Sequence, residues 1–295
     1  MGFDTAYEAI TEETDSGHRW AYGTGFTDPL VGVDTSVPVG VDGRDLAAYC
    51  LMLGDDALIM SHRLQQWLAR APELEEDTAL ANIALDLLGQ ARLLLTRAGA
   101  ADGSRRTEDG YAFGRTEREF RNVRLAEVAD ADFGGLIARL FVFSTWRLAL
   151  LAQLRSSADP VLAAVAAQGV KELTYHRDYA AQWVIRLGDG TDYSRERMQA
   201  GLAAVAPLVS ELFEASDVER RLVTAGVAAD PAELQAGFDA VVAHVVREAG
   251  LDWPAAAGLA GVSGQAGRDG VHTEAMGYLL AELQSVARAM PGATW

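Results

Sequence analysis

Carboxylate and imidazole side chains recur at helical spacing within two apolar segments of the chain. Asp86 lies on the segment 74–98, and Glu172 and His176 lie four residues apart on the segment 160–187. Residues four apart share one face of a helix, so these side chains can meet a common ligand between packed helices. Carboxylates and imidazoles bind metal ions and also relay protons. Asp86, Glu172 and His176 are therefore the candidate metal or proton-relay residues.

The spacing that a di-metal centre requires is missing from the sequence. In a four-helix bundle, such a centre takes a Glu from each of two helices and a Glu-x-x-His pair from each of two others. None of the five histidines follows a glutamate at that distance. The residues three positions before them are Asp15, Ile59, Leu173, Val241 and Asp269. We therefore predict no metal site and no catalytic residue in this chain.

Two interpretations of the candidate residues remain open. Asp86, Glu172 and His176 are either relics of a metal site or members of an ordinary polar network at the edge of the core. Buried polar side chains must find hydrogen-bond partners, so a network of this kind needs no catalytic explanation. An ion pair within one helix, between Glu172 and His176, fits the same spacing.

A run of arginines stands out against the acidic background. Arg118, Arg121 and Arg124 are spaced by three within 115–128, a segment predicted as a helix, and are expected along one side of it. Guanidinium groups on one face bind anions or acidic surfaces, so these three are the candidate anion or partner contacts. The alternative is a solvated face, because acidic residues are interleaved: Glu117, Glu119 and Glu127.

Long helices position all of these candidates. Apolar residues at spacings of three and four, bounded by proline and glycine, predict an all-α fold: a four-helix bundle with additional helices. Asp55 and Asp56 interrupt the first apolar face and predict a break there, and the glycines of 100–114 predict a loop. The predicted helices cover 45–70, 74–98, 115–128, 131–157, 160–187, 192–215, 217–226, 231–249 and 271–290.

The segment before the first helix differs from the rest of the chain. Residues 1–45 are rich in glycine and proline and lack helical periodicity, so we predict an extended or partly disordered N-terminal arm. Residues 46–295 are predicted to form a single helical domain.

The composition excludes several classes of function. The chain has 295 residues and a formal net charge of −17, so no overall positive field attracts nucleic acid. One cysteine excludes a disulfide framework and fits a reducing compartment. The chain start lacks a basic segment followed by an apolar core, and no stretch is expected to reach the ~20 apolar residues of a membrane span. We expect a cytoplasmic protein that binds neither nucleic acid nor membrane.

Several dense stretches of the sequence match a known family. They are GDDALIMSHRL at 54–64, APELE at 71–75, ALANIALDLLGQAR at 79–92, EREFRN at 117–122, Lys171-Glu172 with Tyr175-His176, WVIRLGDGT at 183–191, HTE at 272–274 and PGATW at 291–295. With them, the chain from about residue 46 to its end resembles the C subunits of ring-1,2-phenylacetyl-CoA epoxidases, the PaaC family. The first 45 residues lie outside this resemblance.

The resemblance implies a ferritin-like fold and a place in a multicomponent monooxygenase. Such a complex epoxidises the aromatic ring of phenylacetyl-CoA with O2 and with electrons from NADPH, which a reductase subunit delivers. The A subunit, a ferritin-like paralogue, carries the di-iron site and the substrate. The C subunit is structural, holds no cofactor, and pairs with the A subunit and stabilises it. The missing Glu-x-x-His spacing agrees with that role.

Three functions remain to be distinguished. The first is the structural subunit of the epoxidase, inactive on its own. The second is a self-sufficient ferritin-like di-iron oxidase with the non-standard ligands Asp86, Glu172 and His176, which requires these side chains to converge on one cavity. The third is a module that binds acyl-CoA through the arginines between Arg105 and Arg124.

Overall fold

Helices form nearly all of the regular structure in the computed structural model, which describes residues 30–255, 258, 265–291 and 293. Within these residues there is no β-strand, and the predicted all-α class is confirmed. Ten α-helices occur in this part of the chain: α1 (Gly43–Gln65), α2 (Leu74–Ala101), α3 (Glu108–Gly114), α4 (Arg124–Glu127), α5 (Phe133–Leu154), α6 (Pro160–Gly188), α7 (Asp192–Val205), α8 (Asp217–Thr224), α9 (Pro231–Glu248) and α10 (Glu274–Ala289).

Short acidic side chains fix where three of the long helices begin. Asp42, Asp132 and Asp159 each accept a hydrogen bond from a backbone N–H in the first turn of α1, α5 and α6. These N–H groups have no partner within the helix, so each cap supplies the hydrogen-bond acceptor that one of them lacks. Pro160 follows as the first residue of α6, where its missing N–H is not needed. The Asp159 cap therefore fixes the start of the helix that carries His176.

Two helical hairpins form the core of the molecule. α1 packs along α2, α5 packs along α6, and α2 also contacts α6. α5 lies at the centre, where Leu136, Phe141 and Phe143 are fully buried. This arrangement is ferritin-like, a four-helix bundle with additional helices around it. The space between α1, α2, α5 and α6 is the place where such a bundle can hold a buried site.

The additional helices cover the sides and ends of the bundle. α7 crosses α5 so closely that a Cβ on Gly201 would lie 2.7 Å from the carbonyl oxygen of Gly134. Only a residue without a Cβ allows this approach. α9 packs against α5 and α6, and α10 packs against α3 and α4. α5 is therefore enclosed on several sides, which explains its nearly continuous apolar sequence.

Two of the helices are long and apolar enough to cross a membrane by length and composition, contrary to the expectation from the sequence. In α5, 83% of the apolar stretch is buried inside the protein, as in the core helix of a soluble protein. In α2, the buried share is 44%. Burial inside the fold therefore explains why α5 is so apolar, but it explains only part of the apolar sequence of α2.

Most predicted helices are confirmed, with shifted ends. The prediction of a break at Asp55 and Asp56 is wrong, because α1 runs through both residues without interruption. The loop predicted over 100–114 contains α3. The helix predicted over 192–215 ends at Val205 and continues as short 3-10 turns.

The predicted N-terminal arm lies partly outside the described residues, which begin at residue 30. From there the chain runs along the bundle, where Arg97 of α2 donates hydrogen bonds to the carbonyl oxygens of Thr35 and Ser36. The same guanidinium pairs with Asp159 at the start of α6. The segment from residue 30 to α1 therefore lies against α2, beside the pair that Arg97 forms with Asp159, while the division into an arm and one domain over 46–295 stays a prediction.

Candidate functional site

Two parallel hydrogen bonds cross the seam between α2 and α6. His176 Nε2 lies 2.9 Å from Asp86 Oδ2, and Gln90 Nε2 donates to Glu172 Oε2 at 2.8 Å. Because α2 and α6 run in opposite directions, residues one turn apart on each helix form these two bonds. The structure thus brings all three candidate residues to one seam, with Gln90 among them.

The three candidate ligands do not converge on one point. Asp86 and His176 bind each other, whereas Glu172 turns to Gln90 and, at the surface, accepts a second hydrogen bond from Gln168 at 2.8 Å. Among the described residues, one group of three acidic or histidine side chains has its ligand atoms within 4.8 Å of one another. That group is Glu73, Glu75 and Glu76, at the start of α2.

An arginine from α5 enters the bundle interior beside this seam. Arg147 is fully buried; its Nε donates to Gln90 Oε1 at 3.1 Å, and its Nη1 donates to the carbonyl oxygen of Leu53 at 3.2 Å. Burial lowers the pKa of Arg147 to about 10, and the charge of Asp56 opposes that shift. The guanidinium therefore stays positively charged at neutral pH and joins α5 to both α1 and α2.

These residues do not fit a di-iron centre. A guanidinium has five N–H donors and no lone pair for a metal ion, and its charge repels a cation. His176 Nδ1 is buried without a hydrogen-bond partner in the described structure, but one imidazole nitrogen does not form the ligand set of such a centre. The interior is instead a hydrogen-bonded network around the guanidinium of Arg147.

A second buried polar cluster involves the two aspartates of α1. Asp55 pairs with Arg115 and accepts the backbone N–H of Arg121 at 2.9 Å. Asp56 accepts two hydrogen bonds from Arg268, both at 2.9 Å, and the backbone N–H of Val123 at 2.8 Å. The two carboxylates therefore hold the segment before α4 against α1.

This contact explains why the helix predicted over 115–128 is wrong. The segment consists of a 3-10 turn at Glu117–Glu119, an extended stretch, and the one-turn α4. Backbone N–H groups that would bond within a helix are bound to Asp55 and Asp56 instead.

The arginine strip predicted on that helix is consequently absent. Arg118 is exposed, and Arg121 donates hydrogen bonds to the carbonyl oxygens of Arg118 and Phe120. Arg124 is buried, and its Nε donates to Glu211 at 2.7 Å. The three side chains share no helix face, and their role as anion or partner contacts stays a prediction.

A buried histidine ties the C-terminal part of the chain to the same segment. His272 Nδ1 lies 2.7 Å from Glu127 Oε2, and Nε2 lies 3.2 Å from the carbonyl oxygen of Phe120. Glu127 also accepts hydrogen bonds from the side chain of Asn122 and the backbone N–H of Thr273. This cluster fastens the residues just before α10.

Comparison with known proteins identifies the family. The family model described as phenylacetic acid catabolic protein matches residues 34–295. The chain belongs to this family. The C subunit of the 1,2-phenylacetyl-CoA epoxidase of Escherichia coli (strain K12) is 42% identical to it over 252 residues, which cover 85% of this chain and 100% of the relative. The resemblance drawn from the sequence is confirmed.

The match to the phenylacetic acid catabolic family extends further toward the N-terminus than the sequence motifs did. It begins at residue 34, whereas the motifs indicated a start near residue 46. The added stretch includes Thr35 and Ser36, whose carbonyl oxygens Arg97 binds. Part of the predicted arm therefore belongs to the family fold.

Sequence reasoning missed the arginines and aspartates that organise the interior. The available signal was a charged residue within an apolar helical run, as with Arg139 and Arg147 on α5 or Asp56 on α1. A charge in such a position must find a partner, because an unpaired buried charge is costly. Arg139 pairs with Asp130, and Asp56 pairs with Arg268.

Proposed function

We propose that this chain is the non-catalytic structural subunit of a phenylacetyl-CoA ring epoxidase complex in the cytoplasm. In this proposal it pairs with the catalytic A subunit, which carries the di-iron site and the substrate. A reductase subunit supplies electrons from NADPH for the reaction with O2. The name of the E. coli relative, whose entire length aligns with this chain, supports membership of such a complex.

The observation that carries the non-catalytic role is Arg147. Its guanidinium occupies the bundle interior and is hydrogen-bonded to α1 and α2. Asp86 and His176 are engaged with each other, and Glu172 is engaged with two glutamine side chains. A chain with this interior contributes shape and stability to a complex rather than redox chemistry.

Mass action describes how such a subunit supports its partner. A protein that binds only the folded catalytic subunit stabilises it, by about 2.7 kcal/mol when present at about 100 times its dissociation constant. A large helical interface also holds the partner's helices in place, within the ~0.5 Å tolerance that catalytic constellations require.

Purification alone and together with the catalytic subunit tests the proposal. We expect the isolated chain to contain far less than one iron per chain and to show no NADPH-dependent turnover of phenylacetyl-CoA. Co-expression with the catalytic subunit should give a stable heteromer in which the iron belongs to the partner, and should raise the partner's melting temperature. Stoichiometric iron or turnover in the isolated chain would favour the self-sufficient oxidase.

A coenzyme A titration of the isolated chain addresses the acyl-CoA-binding alternative. We expect no saturable binding in the micromolar range. Saturable binding that Arg118→Glu abolishes would contradict a purely structural role, because Arg118 is exposed and therefore available to an anionic ligand.

A further inference from the structure

α2 carries more apolar surface than the chain itself covers. One stretch of α2 is apolar enough to cross a membrane by length and composition, yet 44% of that stretch is buried, against 83% in α5. Leu87, one residue after Asp86, lies in the core, while Leu85, one residue before it, is 61% exposed. Leu74, in the first turn, is 75% exposed. The side of α2 that faces away from the bundle therefore keeps large apolar side chains in water.

α6 continues this surface across the seam. Tyr175 is 54% exposed and stacks on Tyr179, with ring centroids 6.5 Å apart. Tyr175 directly precedes His176, just as Leu85 directly precedes Asp86. Successive side chains on a helix point in directions about 100° apart. Because Asp86 and His176 are hydrogen-bonded to each other, the two helices present their apolar side chains on one outer surface. We call this surface, defined by Leu74, Leu85, Tyr175 and Tyr179, the α2–α6 face.

Carboxylates border the α2–α6 face. Those at the N-cap and in the first turn of α2 form no ion pair with a described residue: Glu73, Glu75, Glu76 and Asp77. Asp86, with 39% of its side chain exposed, adds a further carboxylate at the seam. The exposed basic residues on the two helices are Arg92, Lys171 and Arg186, which are fewer than these acidic groups, and Arg92 already pairs with Glu108. The surface is thus apolar in the middle and acidic at its edge.

This charge distribution decides between possible occupants. In a symmetric dimer both sides of the interface carry the same patch, so a second copy would add an equally acidic surface and increase like-charge repulsion on a chain whose net charge is −17. An anionic lipid surface would meet the same repulsion. A different polypeptide with an apolar helical surface and flanking arginine or lysine side chains complements both the apolar centre and the acidic edge.

We propose that the α2–α6 face is the docking surface for such a polypeptide and, resting on the proposed function, that this polypeptide is the catalytic subunit of the epoxidase. Leu85 and Tyr175 are the central contacts, because large side chains in the middle of an interface dominate its affinity. The carboxylates at the start of α2 contribute to the rate of association, as rim charges do.

Affinity measurements with matched variants test this surface. Leu85→Glu and Tyr175→Glu replace exposed side chains on the α2–α6 face, and we expect each to weaken binding of the purified catalytic subunit by about tenfold or more. Val286→Glu and Tyr278→Glu are the controls, because both residues are exposed on α10, at 54% and 68%. The controls should change the dissociation constant by less than about twofold. Circular dichroism melting checks that all four variants fold.

The outcomes separate the surface from the function. If the wild-type chain binds the catalytic subunit and neither Leu85→Glu nor Tyr175→Glu weakens that binding, the proposed docking surface is wrong and the subunit role stands. Failure of the wild-type chain to bind the catalytic subunit would overturn the subunit role and, with it, this occupant. Dimerisation of the isolated chain that Leu85→Glu abolishes would identify a second copy as the occupant, and co-sedimentation with anionic vesicles would identify a membrane.

Discussion

Buried aspartate–arginine pairs join residues of this chain that are far apart in sequence. Asp55 is completely buried, as is nearly all of Arg115, and the carboxylate also accepts a backbone N–H from the segment before α4. Removing two such charges from water costs free energy that the pair's own attraction and hydrogen bonds offset. The intact pair therefore contributes little to net stability. The loss of one partner is costly, because the other charge then stays buried and unpaired.

Replacing Asp55 with alanine leaves the Arg115 guanidinium buried without its counter-ion. We expect Asp55→Ala to lower the free energy of unfolding by about 3–5 kcal/mol, measured by urea denaturation. Asp45→Ala is a matched control on the same helix, because Asp45 also binds an arginine, Arg221, through both carboxylate oxygens, but at the surface. The control should lose far less, since solvent screens exposed pairs. Equal losses in the two variants would contradict the role of burial.

The His272 cluster predicts a pH dependence of stability. Burial lowers the pKa of His272, but the hydrogen bond and the charge of Glu127 raise it, and the result lies above the ordinary value of 6.5. Both ring nitrogens face acceptors, so the protonated ring fits the folded state. A raised folded-state pKa gives stability that is complete below the unfolded pKa and lost as pH rises through the folded pKa.

The free energy of unfolding should therefore fall as pH increases above about 6.5. Urea denaturation across this range measures the decline, and His272→Gln should make it shallower by removing the titrating group. His244→Gln, at an exposed position of α9, should leave it as in the wild-type chain. A free energy that stays constant or rises over the same range in the wild-type chain would refute the assignment.

At the scale of elements, local signals predicted the long helices and failed where distant residues decide. Apolar periodicity and the Asp159–Pro160 start were sufficient for α6, because both act within a few residues. The segment 115–128 also has helical periodicity, but carboxylates of α1, more than 60 residues away, bind its backbone N–H groups. No local pattern reports that competition.

The crossing of α5 and α7 depends on glycine at the contact. We expect Gly201→Ala to lower the free energy of unfolding by about 1–3 kcal/mol, because the new methyl group would overlap the backbone of Gly134. Gly237→Ala on α9 is the matched control, since no atom lies within 4 Å of the added Cβ. It should raise the free energy of unfolding by about 0.5–1 kcal/mol through helix propensity. A stabilised Gly201→Ala variant would show that the helices separate without cost.

At the scale of the whole molecule, the sequence predicted a bundle of long helices but not the side chains that fill its interior. The sequence grouped Asp86 and His176 among the candidate residues of one site, and in the structure the two side chains are hydrogen-bonded to each other. Arg147 was not predicted as their neighbour, because its contacts with Leu53 and Gln90 depend on how three helices pack. The absence of the Glu-x-x-His spacing is visible in the sequence, whereas the position of the Arg147 guanidinium between the helices is visible only in the folded bundle.

The pairing of Asp56 with Arg268 has a consequence for how the chain is made. The two residues are 212 positions apart, and a ribosome synthesises Asp56 long before its counter-ion. Throughout that interval, closing the first hairpin into the bundle would bury the Asp56 carboxylate without the arginine that forms its ion pair. The nascent protein therefore completes this part of its bundle only after translation has passed Arg268, and the first hairpin waits for a much later segment of the chain.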